Sequence, residues 1–498
     1  MQNLPLTFPP AVFFIGIGGI GVSAVAKLAL YQKIQVYGTD VTQTPLTREL
    51  SKNGAKVSIT PNTGTYGKNY LQKNNIGLIV YTTATPIDHP LLVQAQGCGI
   101  PTSSYPHILG EISHTHYTIA ISGMHGKSTT TSMIGIMLEH AGLDPLVIVG
   151  TQVREWKGNV RIPTYKSKFQ ILNSKFHKKI FVVEADEYRS AMLNLEPDII
   201  VLTRVEEDHL DYYKDIQHIK REFKKYVNRV PKRGAVIANW DDEHIRSIVT
   251  LPARRSQDGE GGLHCYIVKY NTARDAKLKQ KIKEILRVAG DHNVENALAA
   301  YKVGDYLGLY EKVILEGLAK FKGTWRRMEY VGVLKRKNFK SFKDLKSSIP
   351  IISDYAHHPT EIKATLKALR GQYPNKRLVL AYQPHQHNRT KMLFNGFVSA
   401  FDDADVLIMN EIYDVAGRKE RVDETVSSKT LVSAIKKKID KHCCIVALLH
   451  CCYTATLYET KKKILEIIKP NDILIIMGAG DIDAIARGLV KKEALVPV

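Results

Sequence analysis

The stretch "TIAISGMHGKSTTTSMIGIML", residues 118–138, decides the fold: an apolar strand runs into a glycine turn and then a helix, with Lys127, Ser128 and Thr129 to Thr131 gathered at the junction. The first turn of a helix leaves backbone N–H groups unpaired and carries the positive end of the macrodipole, so a phosphate is its natural occupant. Gly123 and Gly126, with His125 between them, make a compact G-x-x-G-K-S loop, and Ile121 stands where the longer phosphate-loop pattern has its first glycine. In such a loop Lys127 neutralises the β- and γ-phosphates, Ser128 reaches Mg²⁺ and Thr129 leads into the helix. Hydroxyl capping of a helix would explain the serine and threonines, but it gives no reason for the preceding strand and the paired glycines.

Outward from that loop, apolar strand-like runs alternate with helical segments along nearly the whole chain, the signature of parallel sheets flanked by helices. The residues just past the strands are polar and chemically capable: "FFIGIGGIG" ends in glycines, "IFVV" precedes Glu184 and Asp186, and "IIVLT" precedes "RVEEDHLD". Farther on, "PIIS" leads to "DYAHHP", "LVLAY" to "QPHQHNR", "VLIMN" to "EIYD" and "ILIIM" to "GAGD". Open parallel sheets bind ligands beyond the carboxyl ends of their strands, so these clusters read as walls of binding sites. At 498 residues, with 44% apolar residues, the chain has material for about three domains. Breaks fall near "SHTHY" and "FKGTW", and the polar, basic segment "VREWKGNVRIPTYKSKFQILNSKFHK" reads as a loop or small hairpin over a site.

Net charge is +21, from 70 basic and 49 acidic residues, which fits either a polyanionic partner or a lysine-rich solvated surface. The glycine-dense "AVFFIGIGGIG" lacks a basic leader and no run of about 18 apolar residues occurs, so neither a signal peptide nor a membrane span is expected. A cytoplasmic protein is the expectation. Cys443/Cys444, Cys451/Cys452, Cys98 and Cys265 match neither a disulfide framework nor a zinc spacing and are expected as reduced, mostly buried thiols.

Gly16, Gly18 and Gly21 stand in G-x-G-x-x-G spacing, with Asp40 closing the next strand, a pattern that binds a nucleotide diphosphate without saying which. Glu184 and Asp186 alternate at a strand end and by period two share a face. A carboxylate from this strand could complete the Mg²⁺ shell begun by Ser128, whereas His209, crowded by acids in "EEDHLD", is as readily a hydrogen-bonded core residue. His292, Asn293 and Asn296 head a helix, where they either edge a purine or cap it. Arg326 and Arg327 are candidates for clamping phosphate. Asp354, His357 and His358, with His385, His387 and Arg389, suit a substrate-positioning wall better than a zinc site.

Taken in order, GIGGIG, GMHGKSTTT, EADE, EEDHLD, HNVENA, WRRMEY, DYAHHPTE, QPHQHNRT and MGAGD resemble the motifs of the Mur ligase family over essentially the whole chain. The resemblance implies α/β architecture in three domains, each on a mostly parallel sheet flanked by helices. A Rossmann-like domain at 1–116 would bind the UDP-sugar, a phosphate-loop ATPase at 117–323 would bind ATP, and a Rossmann-like domain at 324–498 would present the amino acid. It implies a reaction in which ATP phosphorylates the carboxylate of UDP-N-acetylmuramate and the amine of L-alanine, or a similar small amino acid, attacks the acyl phosphate. Assembly of the site from three domains implies closure that excludes water.

Carried over by motif, Gly123, His125, Gly126, Lys127, Ser128, Thr129, His292 and Asn296 would bind ATP, and Ser128, Glu184 and His209 would hold Mg²⁺. Gly16, Gly18, Gly19, Gly21, Asp40, Thr83, Asp354 and His357 would bind the other substrates, and Lys127, His209, Arg327, His357 and Arg389 would act in the chemistry. The chain departs from the family pattern at Met124, Arg204, the EADEYRSAM run, Gln386 and Asn388, and Lys224 lies near the place of a carbamylated lysine in sibling ligases without matching it. The implied partners are small molecules, with no nucleic acid or membrane and a monomer or weak dimer. Three other readings make distinct demands. A sibling that recycles a tripeptide would carry an insertion that the compact "SAMLNLEPD" lacks, a nicotinamide oxidoreductase leaves the Gly-Lys-Ser loop unused, and a nucleic-acid-stimulated ATPase requires salt-steep binding.

Overall fold

The computed structural model describes residues 8–60, 66–164, 178–210, 212–250, 265–334, 349–414, 425–441 and 450–490. Its strands fall into three sheets. The first is all parallel, in the order β3-β2-β1-β4-β5, from β1 (Ala11–Ile15), β2 (Gln35–Asp40), β3 (Lys56–Ile59), β4 (Leu78–Tyr81) and β5 (Thr102–Ser104). The second has the order β12-β11-β10-β6-β9-β7-β8, from β6 (Tyr117–Ser122), β7 (Leu146–Val153), β8 (Gly158–Arg161), β9 (Ile180–Glu184), β10 (Ile199–Leu202), β11 (Ala235–Asn239) and β12 (Tyr266–Tyr270). In it only β7 and β8 pair antiparallel.

The third sheet runs β13-β14-β18-β15-β16-β17, from β13 (Glu329–Leu334), β14 (Ile349–Asp354), β15 (Leu378–Tyr382), β16 (Val406–Asn410), β17 (His450–Thr454) and β18 (Ile473–Met477), with β13 antiparallel to β14. The central strands AVFFI, LVLAY, VLIMN and ILIIM are buried at every position. Parallel strands covered by helices on both faces must be apolar throughout rather than alternating. The three-sheet α/β architecture therefore stands as the sequence implied.

The chain forms two compact units: residues 1–207, 215–287 and 295–322 hold the first two sheets, and residues 208–214, 288–294 and 323–498 hold the third. The polar segment after residue 153 does contribute a hairpin strand, β8, while residues 165–177 lie outside the described residues. Cys98, Cys265, Cys451 and Cys452 are free thiols, of which only Cys451 is fully buried, and Cys443 and Cys444 lie outside the described residues. Among the described residues no helix is long and apolar enough to cross a membrane.

Candidate active site

In the first unit, β6 delivers the phosphate loop to the helix Lys127–His140. Gly126 takes a positive φ of 83° as the residue before that helix, and a Cβ there would lie 2.4 Å from Asn296 Oδ1. Gly123, at φ 131°, is pressed so closely against the end of β10 that a Cβ would lie 2.4 Å from Thr203 Oγ1. Only glycine meets both demands, of backbone angle and of space. Two further bonds clamp the loop: Met124 N–H donates to Arg204 O at 2.7 Å, and Thr203 Oγ1 donates to His125 O at 2.6 Å.

Lys127 Nζ donates to Gly123 O at 2.7 Å and to Glu187 Oε1 at 2.9 Å, with Glu187 only 1% exposed. Burial alone would lower the lysine pKa, but Glu187, Asp186 and Glu184 outweigh it and hold the pKa above its ordinary value. Lys127 is therefore a fixed positive charge. Ser128 Oγ donates to Glu184 Oε1 at 3.0 Å, and Gly150 N–H donates to Glu184 Oε2 at 2.7 Å. A hydroxyl set on a carboxylate is an all-oxygen donor pair, which fits the preference of Mg²⁺ for hard ligands. His125 Nε2 is bonded to Glu206 Oε1.

The paired reading of Glu184 and Asp186 needs correction. Strand β9 stops at Glu184, and Asp186 lies in the turn beyond it, accepting from Tyr188 N–H at 3.1 Å as the chain starts a 3₁₀ segment. Period two holds only within a strand, so the shared face ends with it.

The glycine-rich turn precedes the helix Ile20–Tyr31. Asp40 Oδ2 accepts Gly18 N–H at 2.8 Å and its other oxygen accepts Thr42 N–H at 3.3 Å, so the acid braces the turn itself. Gly16 sits at φ 72° against Thr82, where a Cβ would lie 2.7 Å from Cγ2. Thr83 is exposed in the following turn, so the threonine touching the glycines is its neighbour. At Gly21 a Cβ would strike the ring of Tyr105 at 2.6 Å, and Gly19 caps the helix in extended conformation.

His209, His292, Arg327, Asp354, His357 and Arg389 belong to the second unit. There Asp208 Oδ1 accepts both Nε and Nη2 of Arg389 at 3.0 Å, and Arg389 Nη1 lies 3.2 Å from His385 Nδ1. His209 follows at φ 53°, and with Asp208, Arg389, Gln386 and Asn388 it lines a small, partly open cavity. Arg327 and His357 share Glu361, at 3.4 Å each. Burial drives His357 down to about 3, aided by the Arg389 charge, and burial with the Arg327 charge drives His292 down to about 4, so both imidazoles are neutral at pH 7.

Asp354 is pushed up to about 6 by burial, and both its oxygens accept backbone N–H groups, from Met328 at 2.7 Å and Ala356 at 2.8 Å. Of the arginine pair, Arg326 is buried and donates to the carbonyls of Gly478 and Gly480. Arg327 is the one left partly exposed. Sequence reasoning missed the carboxylates that partner these side chains: Glu187 for Lys127, Glu206 for His125, Asp208 for Arg389 and Glu361 for Arg327. Glu361 carried a local signal, since it lies in the first turn of the helix Pro359–Gln372, just after His357.

A strand-to-helix phosphate loop with a permanently charged lysine and an oxygen-donor pair defines an α/β enzyme that handles nucleotide phosphates. Residues 11–117 match the model of the Mur ligase family catalytic domain, 121–304 the Mur ligase middle domain and 338–480 the Mur ligase glutamate ligase domain. The UDP-N-acetylmuramate–L-alanine ligase of Clostridium tetani is 35% identical over 494 residues, covering 96% of this chain and 97% of that relative. Its namesake from Alkaliphilus metalliredigens is 32% identical over 504 residues, with 97% of both chains covered. The crystal structure of UDP-N-acetylmuramate–alanine ligase from Thermotoga maritima shares the fold, with a TM-score of 0.70 at 22% identity over 96% of this chain and 98% of that one. A murein peptide ligase from Psychrobacter arcticus does so with a TM-score of 0.64, again at 22% identity and with the same coverage. The chain belongs to the Mur ligase family, whose members are ATP-dependent amide-forming ligases.

Proposed function

We propose that the protein joins the carboxylate of UDP-N-acetylmuramate to L-alanine or a similar small amino acid, consuming ATP, in peptidoglycan precursor synthesis. The observation that carries this reading is the phosphate loop, with Lys127 charged and Ser128 seated on Glu184, in a chain matched end to end by ligases of that name. Phosphoryl transfer between two anions needs neutralisation and alignment more than covalent help. Lys127 supplies a fixed charge to the β- and γ-phosphates, and the backbone N–H groups at the head of its helix cradle them. Ser128, Glu184 and His209 are the proposed holders of Mg²⁺. That ion, when bound, offsets the charge gathering on the transferred phosphoryl group.

In the same reading His125, Gly123, Gly126, Thr129, His292 and Asn296 form the ATP site. The Gly16 to Gly21 turn, with Asp40 and Thr83, receives the UDP-sugar, and Arg327, His357, Asp354 and Arg389 serve the amino acid and the acyl phosphate. Domain limits of 1–116, 117–323 and 324–498 and a cytoplasmic location complete the proposal. The deciding experiment measures phosphate release with ATP, Mg²⁺ and UDP-N-acetylmuramate while adding L-alanine, glycine, L-serine or the tripeptide singly. Release that requires the UDP-sugar and one small amino acid supports the reading. Release with the tripeptide alone moves the protein to the recycling branch, and no release with any of them refutes both.

A further inference from the structure

Strands β7 and β8 form an antiparallel ribbon, with Val153 opposite Gly158 and Val147 opposite Arg161. One strand touches the proposed metal carboxylate. Gly150 N–H donates to Glu184 Oε2, and a Cβ at that glycine would lie 2.9 Å from the same oxygen, so the ribbon's backbone fixes where the carboxylate stands. The other strand enters the helix that follows the glycine-rich turn. Asn159 is wholly buried and all its polar hydrogens are used: Nδ2 donates to Ile20 O and, at 2.9 Å, to Ser23 Oγ, while Oδ1 accepts from Lys27 Nζ at 3.1 Å. Ser23 is itself buried and donates back to Ile20 O at 3.0 Å.

The ribbon is held stiff between these ends. Arg161 pairs with Glu139 at 3.0 Å and Asp144 at 2.7 Å, and Trp156 Nε1 donates to Glu139 Oε2 at 2.8 Å. Glu139 lies in the helix that begins at Lys127. A largely buried polar knot resists displacement, because a shift strands buried donors at about 1–3 kcal/mol each. The first turn of the glycine-rich helix is thus bonded directly to β8, and Glu184 directly to β7.

We propose that Asn159 is a positioning residue through which the β7–β8 ribbon couples the glycine-rich turn to Glu184, so that nucleotide at the phosphate loop organises the UDP-sugar site. This rests on the assignment of those two sites under the proposed function. Hydrogen exchange on the full chain, with Mg·ADP as the probe and no UDP-sugar, tests it. Mg·ADP should slow amide exchange at residues 123–131 and also at 20–31. In Asn159→Ala the first protection should persist while the second falls about fivefold or more, the low end of ordinary coupling energies. Ser23→Ala removes two bonds of the knot but leaves those of Asn159 to Ile20 and Lys27, and should show a smaller loss in the same direction, which keeps the test intact if Asn159→Ala does not fold. Protection of 20–31 that survives in the folded variants, or that is absent in the wild type while 123–131 is protected, overturns the coupling alone. Protection at neither segment overturns the nucleotide site and the coupling with it.

Discussion

Asp208 takes both the Nε and Nη2 hydrogens of Arg389 on a single carboxylate oxygen at 3.0 Å, with 4% and 7% of the two side chains exposed. Burial alone would raise the acid's pKa, yet Arg389, His209, His357 and His358 hold it far below the carboxylate range. The pair is thus a charge holder: it keeps a cation at the wall of the cavity that would otherwise be too costly to bury there.

Removing the acid should cost far more than removing the pair. Asp208→Ala leaves Arg389 buried without a counter-charge and is expected to lower stability by about 3–5 kcal/mol, whereas Asp208→Ala with Arg389→Met should recover most of that loss. Urea unfolding of the two single variants and the double variant measures the coupling. Additive losses would show that the two side chains do not depend on each other.

Gly126→Ala tests the loop geometry. Alanine at φ 83° costs about 1–2 kcal/mol in backbone strain, and its Cβ would also collide with Asn296 Oδ1. Adding Asn296→Ala should relieve the collision and leave the strain, so the double variant should be more stable than the sum of the singles predicts. Denaturant melts of the four proteins separate the parts, and strict additivity would remove the collision from the account.

Acid should destabilise the protein between pH 6.5 and 4, and the sign is set by which form the fold prefers. His357 and His292, held near 3 and 4, stay neutral in the fold while the unfolded chain binds protons below about 6.5. Their contribution is complete above that pH and is lost on acidification, at about 1.4 kcal/mol per pH unit for each. Asp354, pushed up to about 6, works the other way: its contribution is present below its ordinary 3.8 and is lost as pH rises through 6. Two histidines outweigh one aspartate, leaving a net loss of about 1.4 kcal/mol per pH unit. Melting temperature against pH checks this, and His357→Gln should flatten the profile; a steeper slope in that variant would contradict the assignment.

The sequence made the chemistry at strand ends legible, because apolar runs stop where a parallel sheet ends and the polar residues beyond have nowhere else to lie. Glycine spacing made the phosphate loop legible for the same local reason. Pairing was the part it could not reveal. Asp208 meets Arg389 across 181 residues, a meeting set by the packing of one segment against the third sheet rather than by any spacing. Nor could it show that β9 ends at Glu184, or that the threonine touching the glycine turn is Thr82, since both depend on where a strand leaves its ladder. Asp40 and Asp354 were legible as acids at strand ends, but not as acids whose oxygens already accept backbone N–H groups.

Glu184→Gln isolates charge from structure at the proposed metal site. The carboxylate makes two hydrogen bonds, accepting from Gly150 N–H and from Ser128 Oγ. A glutamine can keep both: its carbonyl oxygen faces the glycine amide, and its NH₂ group donates to the serine hydroxyl, which accepts as readily as it donates. The fold should therefore be nearly unchanged, with stability within about 1 kcal/mol of wild type, since each neutral hydrogen bond contributes a net of about that size. The negative charge, however, is gone, and with it the stronger of two oxygen donors for a divalent cation. Phosphate release titrated with Mg²⁺ should need roughly tenfold more metal for half-maximal rate, the equivalent of about 1.4 kcal/mol in metal binding. Mn²⁺, which ranks lowest among first-row metals but accepts the same ligands, should show a parallel shift. An unchanged Mg²⁺ titration in a folded variant would remove Glu184 from the metal's shell and leave it only as the anchor for Ser128 and Gly150.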